Sequence, residues 1–251
     1  MFSKNRIKHI RSLSLKKNRQ KYSEFVAEGP KIVNELLQEF HCLFLAATEE
    51  WISSQKNIKA DEYVIVSPDE LKRASLMKTP QEVLAIFSIP ERKFDPGVVK
   101  NELCLALDSV QDPGNLGTIV RVADWFGIEN ILCSKNSADI FNPKSVQATM
   151  GSMARVYIHY LDLASLISQF DISTPVYGTF LNGDNIYKKK LSSNGVIVMG
   201  NEGSGISPKV EKLINERLFI PHGVGRSTAE SLNVAIATAI VCSEFKRELH
   251  L

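Results

Sequence analysis

Nothing in this chain is spaced to hold a metal or a disulfide. Its four cysteines, Cys42, Cys104, Cys133 and Cys242, lie far apart, with no CxxC pair and no Cys/His group at ligand spacing. All four read as reduced thiols and three as core, Cys242 on an apolar helix most clearly so. Long apolar runs are also missing. None approaches the roughly 20 residues a membrane-spanning helix needs, and the basic N-terminal stretch lacks the apolar centre of a secretory signal. The expectation is a cytoplasmic protein with no metal and no membrane partner. The signatures of common nucleotide enzymes fail as well. Gly203-Ser-Gly205 continues into Ile-Ser-Pro rather than to the third glycine of a dinucleotide fingerprint, and no Gly-Lys-Ser/Thr closes a phosphate loop. The order Gly203-Ser-Gly-Ile-Ser is wrong for a nucleophile elbow. Ordinary nucleotide oxidoreductases, NTPases and esterases therefore lose ground.

What is present is ordinary in amount and uneven in placement. The chain has 251 residues, 44% apolar and 23% charged, enough for one large or two modest domains. Its net charge of +2 conceals an asymmetry. Residues 1–21 carry Lys4, Arg6, Lys8, Arg11, Lys16, Lys17, Arg19 and Lys21 and no acid, leaving 22 basic against 28 acidic residues elsewhere, net −6. Such a cluster draws phosphate backbone through counterion release, or stands as a solvated arm; charge alone leaves both open.

Residues 1–90 read as a small α/β unit. Apolar spacing predicts a short helix from Ile7 to about Leu15, strands at Phe25–Ala27, Cys42–Ala46, Tyr63–Val66 and Val83–Phe87, and helices from Pro30 to Phe40 and from Asp69 to Met77. Among its aromatics, Trp51 reads as core, while Tyr22, Phe25 and Tyr63 could be core or base-stacking platforms. Pro90, Pro96 and Gly97 mark a linker, taken as residues 91–102. From 103 to 251 strands and helices alternate: strands near 103–108, 130–133, 155–158, 175–180, 195–199 and 217–220, helices near 116–126, 143–150, 162–169, 208–214 and 229–248. That alternation predicts an α/β fold with a mostly parallel sheet covered on both faces.

Three of these strands run into Gly/Asn-rich loops. Leu103–Asp108 leads to Asp112-Pro113-Gly114-Asn115-Leu116-Gly117, Gly195–Met199 to Gly200-Asn-Glu-Gly-Ser-Gly205, and Leu218–Pro221 to His222-Gly-Val-Gly-Arg226 and Glu230-Ser231-Leu232-Asn233. Ligands of open α/β sheets bind beyond the carboxyl ends of strands, so three such loops are expected to converge on one pocket with bare backbone for a ligand to approach. Turn and cap roles would account for the glycines alone, but not for the polar residues beside them. Arg121 sits inside the apolar Ile119-Val-Arg-Val-Ala123 and should face a site or pair with Asp124 or Glu202.

The order Asn115-x-Gly117-x-x-x-Arg121, then Gly200-Asn-Glu-Gly203, then Ile220-Pro221 leading to Glu230-Ser-Leu-Asn-Val-Ala235, closely resembles the three motifs of the SpoU (TrmH-like) RNA ribose 2'-O-methyltransferases of the SPOUT superfamily. The segments Lys16-Lys-Asn-Arg, Phe25-Val-Ala-Glu-Gly29 and Thr79-Pro-Gln-Glu-Val83 likewise resemble the family's substrate-binding domain, itself similar to RNA-binding ribosomal proteins. The resemblance implies a trefoil-knotted α/β domain, an architecture rare enough that pattern alone would not suggest it. It implies S-adenosylmethionine held mainly by backbone groups at Gly200, Ile220 and Leu232, with Asn201, Gly203 and Pro221 beside them. It implies methyl transfer to a ribose 2'-hydroxyl in a homodimer; the second, N-terminal domain favours a large structured substrate, ribosomal RNA, with transfer RNA as the first alternative. Arg121, Asn115, Glu202, Ser231 and Asn233 would form the catalytic group, and Lys4, Arg6, Arg11, Lys16, Lys17, Arg19 and Arg121 would contact RNA. Arg121 has been cast in the family as the general base; a guanidinium stays protonated, so it reads better as an orienter of phosphate or hydroxyl. The chain departs from the family at His222, where Met is common, and in a longer Gly223–Ala229 loop that adds Arg226. His222 reads as a loop residue rather than a proton carrier. A non-catalytic RNA-binding protein on the same fold is the alternative of another class.

Overall fold

The computed structural model describes residues 2–223 and 231–247. The chain forms two units, Met1–Glu91 with Asp139–Arg155, and Arg92–Ala138 with Val156–Leu251.

In the first unit, Ser3 caps α1 (Lys4–Ser12) by accepting the Arg6 N–H, and α2 (Lys16–Tyr22) ends at Ser23 in a left-handed conformation. Then follow β1 (Glu24–Glu28), α3 (Pro30–Glu39) with Pro30 in its first turn, and β2 (Cys42–Ala47). Thr48 caps α4 (Glu49–Ser54), β3 covers Tyr63–Ile65, a Ser67/Glu70 capping box opens α5 (Pro68–Ala74), and β4 is Val83–Ser88. The sheet order is β1-β4-β2-β3; β4 runs antiparallel to both neighbours and β3 parallel to β2. One core cluster gathers Phe2, Ile10, Leu13, Val26, Phe44, Leu71, Leu84 and Ile86. Phe25 stacks among Phe40, Phe87 and Phe141, which makes it core, and Trp51 is buried, whereas Tyr22 and Tyr63 are exposed.

The basic run at Lys16–Lys21 is helical, and this changes the reading of one of its residues. Arg19 is not a surface contact for RNA: it is 2% exposed and donates to Asp139 Oδ2 from Nη2 (2.6 Å) and Nε (3.1 Å) and to the Leu13 and Ser14 carbonyls (2.8 and 2.9 Å). The guanidinium closes the α1–α2 turn by satisfying carbonyls left over at the end of α1. Arg6 is committed in part, paired with Glu62 at 2.6 Å and lying over the Phe44 ring. Lys4, Arg11, Lys16 and Lys17 are exposed.

The second unit begins with β5 (Leu103–Leu107), α6 (Pro113–Trp125) and β6 (Asn130–Ser134). The next helix, α7 (Pro143–Thr149), belongs to the first unit, where it packs on β1 and Gln147 donates to the Glu28 carbonyl at 2.9 Å. The chain then resumes with β7 (Tyr157–Leu161), α8 (Leu163–Ile167), β8 (Val176–Asn185), β9 (Gly195–Met199), α9 (Pro208–Glu211), β10 (Glu216–Phe219) and α10 (Val234–Lys246). The order is β10-β8-β9-β5-β6-β7, every pair parallel. β5 and β9 are buried throughout, as continuous apolar runs require in a parallel sheet. β8 is longer than the apolar pattern implied: Gly178 pairs with Arg217 but Asp184 with Leu218, so residues 179–183 leave the ladder between them. All four cysteines are buried and unpaired, and burial pushes the Cys42, Cys104 and Cys242 thiols up to about 12. No helix among the described residues is long and apolar enough to cross a membrane.

Candidate functional site

The second unit's sheet changes direction of construction between β5 and β9, and the loops after these adjacent strands lie together. β5 leads into Asp108, whose buried carboxylate accepts the Ser207 N–H at 2.8 Å, so the loop following β9 is tied back to the end of β5. Asn201 makes a second tie, donating from Nδ2 to the Ser109 carbonyl at 2.9 Å while its Oδ1 accepts the N–H groups of Gly203 and Ser204. Two backbone bonds between Asn201 and Gly205 close the loop. Gly200 stands where this closure is tightest: a Cβ there would come within 2.4 Å of the Gly205 carbonyl carbon. Its missing side chain therefore serves its own loop as well as any ligand. At Gly203 a Cβ would meet nothing nearer than 3.5 Å.

Asp112 caps α6 by accepting the Asn115 N–H at 2.8 Å, with Pro113 in the first turn, and so fixes the helix start that carries Asn115. The Asn115 side chain then joins all three motifs. Its Nδ2 donates to Glu202 Oε1 at 2.5 Å and its Oδ1 accepts from Asn233 Nδ2 at 3.0 Å. Asn233 in turn caps α10, its Oδ1 accepting the N–H groups of Ala235 and Ile236. This chain of amides links residues 87 and 118 positions apart. It orients each side chain by the next, so the Asn115 amide has one way to face.

Arg121 is two turns further along α6, on its exposed side, while Leu116, Ile119, Val120 and Ala123 are buried. It forms no ion pair with Asp124 or Glu202, and among the described residues nothing holds its guanidinium. The charge is thus not buried in the apolar stretch that contains it; it faces outward from a helix packed against α10. Ser231 and Leu232 are exposed beside Asn233, and Ile220 and Pro221 are partly buried after β10. β8 lies between β9 and β10, so the strands that lead to Gly200 and Ile220 are two strand spacings, about 10 Å, apart. His222 is exposed, its Nδ1 near the Gly223 carbonyl and its ring edge-on to Phe219. Glu230 and Arg226, and most of the Gly223–Ala229 loop, lie outside the described residues.

Asp108, Asp112 and the 179–183 excursion of β8 shape the site without being among the residues expected to form it. An acid just before Pro at a helix start announces a cap, and an acid closing an apolar strand announces a buried partner; both signals were present. The excursion left a signal as well, since Asn182-Gly183 is a turn dipeptide inside the strand-like run.

The SpoU rRNA Methylase family matches residues 102–243, and an MRM3-like substrate binding domain matches residues 4–85. The chain is 32% identical over 241 residues to the 23S rRNA (guanosine(2553)-2'-O)-methyltransferase RlmP of Bacillus subtilis, covering 94% of each. It superposes on a TrmH-family protein from Porphyromonas gingivalis with a TM-score of 0.91, 42% identity and 99% coverage of both chains. An AdoMet-bound rRNA methyltransferase from Sinorhizobium meliloti matches with a TM-score of 0.80 and 31% identity, covering 97% of this chain and 94% of that one.

Proposed function

The chain belongs to the SpoU rRNA methylase family, and from that premise we propose that it transfers the methyl group of S-adenosylmethionine to a ribose 2'-hydroxyl of ribosomal RNA. The observation that carries this reading is the Glu202–Asn115–Asn233 chain of hydrogen bonds at the start of α6, the helix that also carries the exposed Arg121, unpaired among the described residues. The Bacillus subtilis relative, named for 23S rRNA, favours a ribosomal substrate, and AdoMet in a 31% identical structure favours the cofactor.

The residues fit such a ligand. Leu232 is an apolar side chain left exposed next to the amide chain, and the loops after β9 and β10 offer backbone groups and the partly buried Ile220 and Pro221. Gly200, Asn201, Gly203, Ile220, Pro221 and Leu232 would hold the adenosyl and amino-acid parts, within the knot that the family resemblance implies. When bound, the cofactor supplies an electrophilic methyl on a sulfonium. Arg121 binds phosphate or the reacting hydroxyl and, being permanently charged, stabilises the negative charge that develops on the ribose oxygen as its proton leaves to solvent. Asn115, Glu202, Ser231 and Asn233 hold the ribose in line, and that positioning lowers the barrier further. Lys4, Arg6, Arg11, Lys16 and Lys17 of the first unit draw in the RNA backbone. Two copies pair through the face of α6 and α10, where Trp125 is 84% exposed and Ile236 is also exposed.

The test is to incubate the protein with radiolabelled S-adenosylmethionine and unmodified ribosomal RNA and map the label. Label on a ribose 2'-oxygen supports the reading, and label confined to transfer RNA redirects it. Binding of both ligands without transfer would leave a non-catalytic RNA-binding protein. Arg121→Ala is expected to lower transfer about 100-fold or more with cofactor and RNA binding retained.

A further inference from the structure

Beyond its excursion, β8 pairs again with β10 at Asp184 and Asn185, opposite Leu218 and Phe219, so the chain leaves the sheet level with the residue that precedes Ile220-Pro221. It leaves as a single tight turn, Ile186–Lys188, that packs on α10. Ile186 is fully buried, and the Asn185 side chain caps the turn by accepting the Tyr187 N–H at 2.9 Å. The three lysines that follow, Lys188, Lys189 and Lys190, are the only run of three consecutive cations in the chain. The middle one is drawn in: Lys189 pairs with Asp184 and, at 2.7 Å, with Glu216, and both partners hold its ammonium in the charged form. Lys188 and Lys190 on either side are exposed and form no hydrogen bond or ion pair among the described residues. Tyr187, 52% exposed, stands next to them.

An aromatic ring and two free ammonium groups thus sit on a support fixed by a buried side chain, a cap and a pair of ion pairs. Outside residues 1–21 the chain is net −6, which makes this a local cationic patch on an otherwise acidic remainder. The chemistry is that of single-stranded RNA recognition, in which a ring stacks on a splayed base and lysines neutralise the flanking phosphates. We propose that Tyr187, Lys188 and Lys190 form an RNA contact of the second unit, holding a nucleotide close to the target ribose independently of the basic N-terminal helices. This inference rests on the reading of the protein as an RNA methyltransferase.

The test compares the full-length protein with Tyr187→Ala, Tyr187→Phe and the double variant Lys188→Ala/Lys190→Ala, using unmodified ribosomal RNA and, separately, S-adenosylmethionine. Tyr187→Ala should weaken RNA binding about ten-fold and raise KM for RNA with kcat little changed, whereas Tyr187→Phe, which keeps the ring, should match the wild type. The double variant should flatten the dependence of log K on log salt by about 1.4, from roughly 0.7 per phosphate contact to a single strand. S-adenosylmethionine affinity should stay unchanged in all three. RNA affinity, KM and salt slope all equal to wild type would overturn the inference, as would a change of oligomeric state with RNA affinity intact, which would assign the patch to contact between copies. Failure of the wild type to methylate RNA would instead strike at the enzymatic reading, and the binding measurements on the same variants would still decide this contact.

Discussion

The Asn115 amide spends its donor on Glu202 and its acceptor on Asn233, so it can be replaced in ways that separate geometry from charge. Asn115→Asp keeps the shape but sets a second carboxylate against Glu202, and should lower kcat further than Asn115→Ala does; equal effects would show that only the volume matters. Glu28 offers a residue-level test in the first unit. Its buried carboxyl accepts from Ser75 Oγ at 2.5 Å and the Leu76 N–H at 2.7 Å, and burial outweighs these bonds to raise its pKa above the ordinary 4.5. The folded state therefore holds the proton more tightly than the unfolded chain, so this group's contribution is complete below the unfolded value and is lost as pH rises through the raised one. Glu28→Gln should gain on the wild type in urea midpoint between pH 4 and pH 7.5, and a gap independent of pH would contradict the assignment.

At the scale of elements, the two glycines of the second motif separate cleanly. Gly200→Ala would drive a Cβ into the backbone of Gly205 and Ile206, at 2.4 and 2.5 Å, and should abolish S-adenosylmethionine binding with a fall in melting temperature. Gly203→Ala, with 3.5 Å to its nearest neighbour, should keep the melting temperature within measurement error, so that any loss of S-adenosylmethionine binding there reports a direct contact with the cofactor. The strands of the second sheet were legible because continuous apolar runs such as Leu103–Leu107 and Gly195–Met199 admit little else in a chain that alternates with helices. The motif loops were legible because polar residues crowd the glycines, and the structure brings Asn115, Glu202 and Asn233 together. Less visible were α2 and α4, each seven residues or fewer and made by tertiary packing rather than by a long periodic pattern. The environment of single charges was hidden too. Arg19 and Arg121 both sit in helices, yet one is sealed by Asp139 and two carbonyls and the other is exposed; the counter-ion of the first lies 120 residues away, and its two carbonyls face it only once the α1–α2 turn has formed.

For the whole molecule, Arg19 matters as a fastener of the first unit rather than as a ligand for nucleic acid. Arg19→Ala would strand Asp139 and two carbonyls, and should destabilise by about 3–5 kcal/mol. It should leave the salt slope of RNA binding unchanged, whereas Lys16→Ala/Lys17→Ala should flatten that slope without loss of stability; the reverse pattern would restore Arg19 to the RNA surface. The same bond sets a clock on synthesis. Arg19 and Asp139 are separated by 120 residues, so at about 5–20 residues per second the arginine is made roughly 6–24 s before its counter-ion. Through that interval the nascent first unit also lacks α7, and a fragment ending at residue 91 would be arrested in this unfinished form. Any exchange of this first unit between proteins must carry residues 139–155 with it, although they are encoded inside its neighbour.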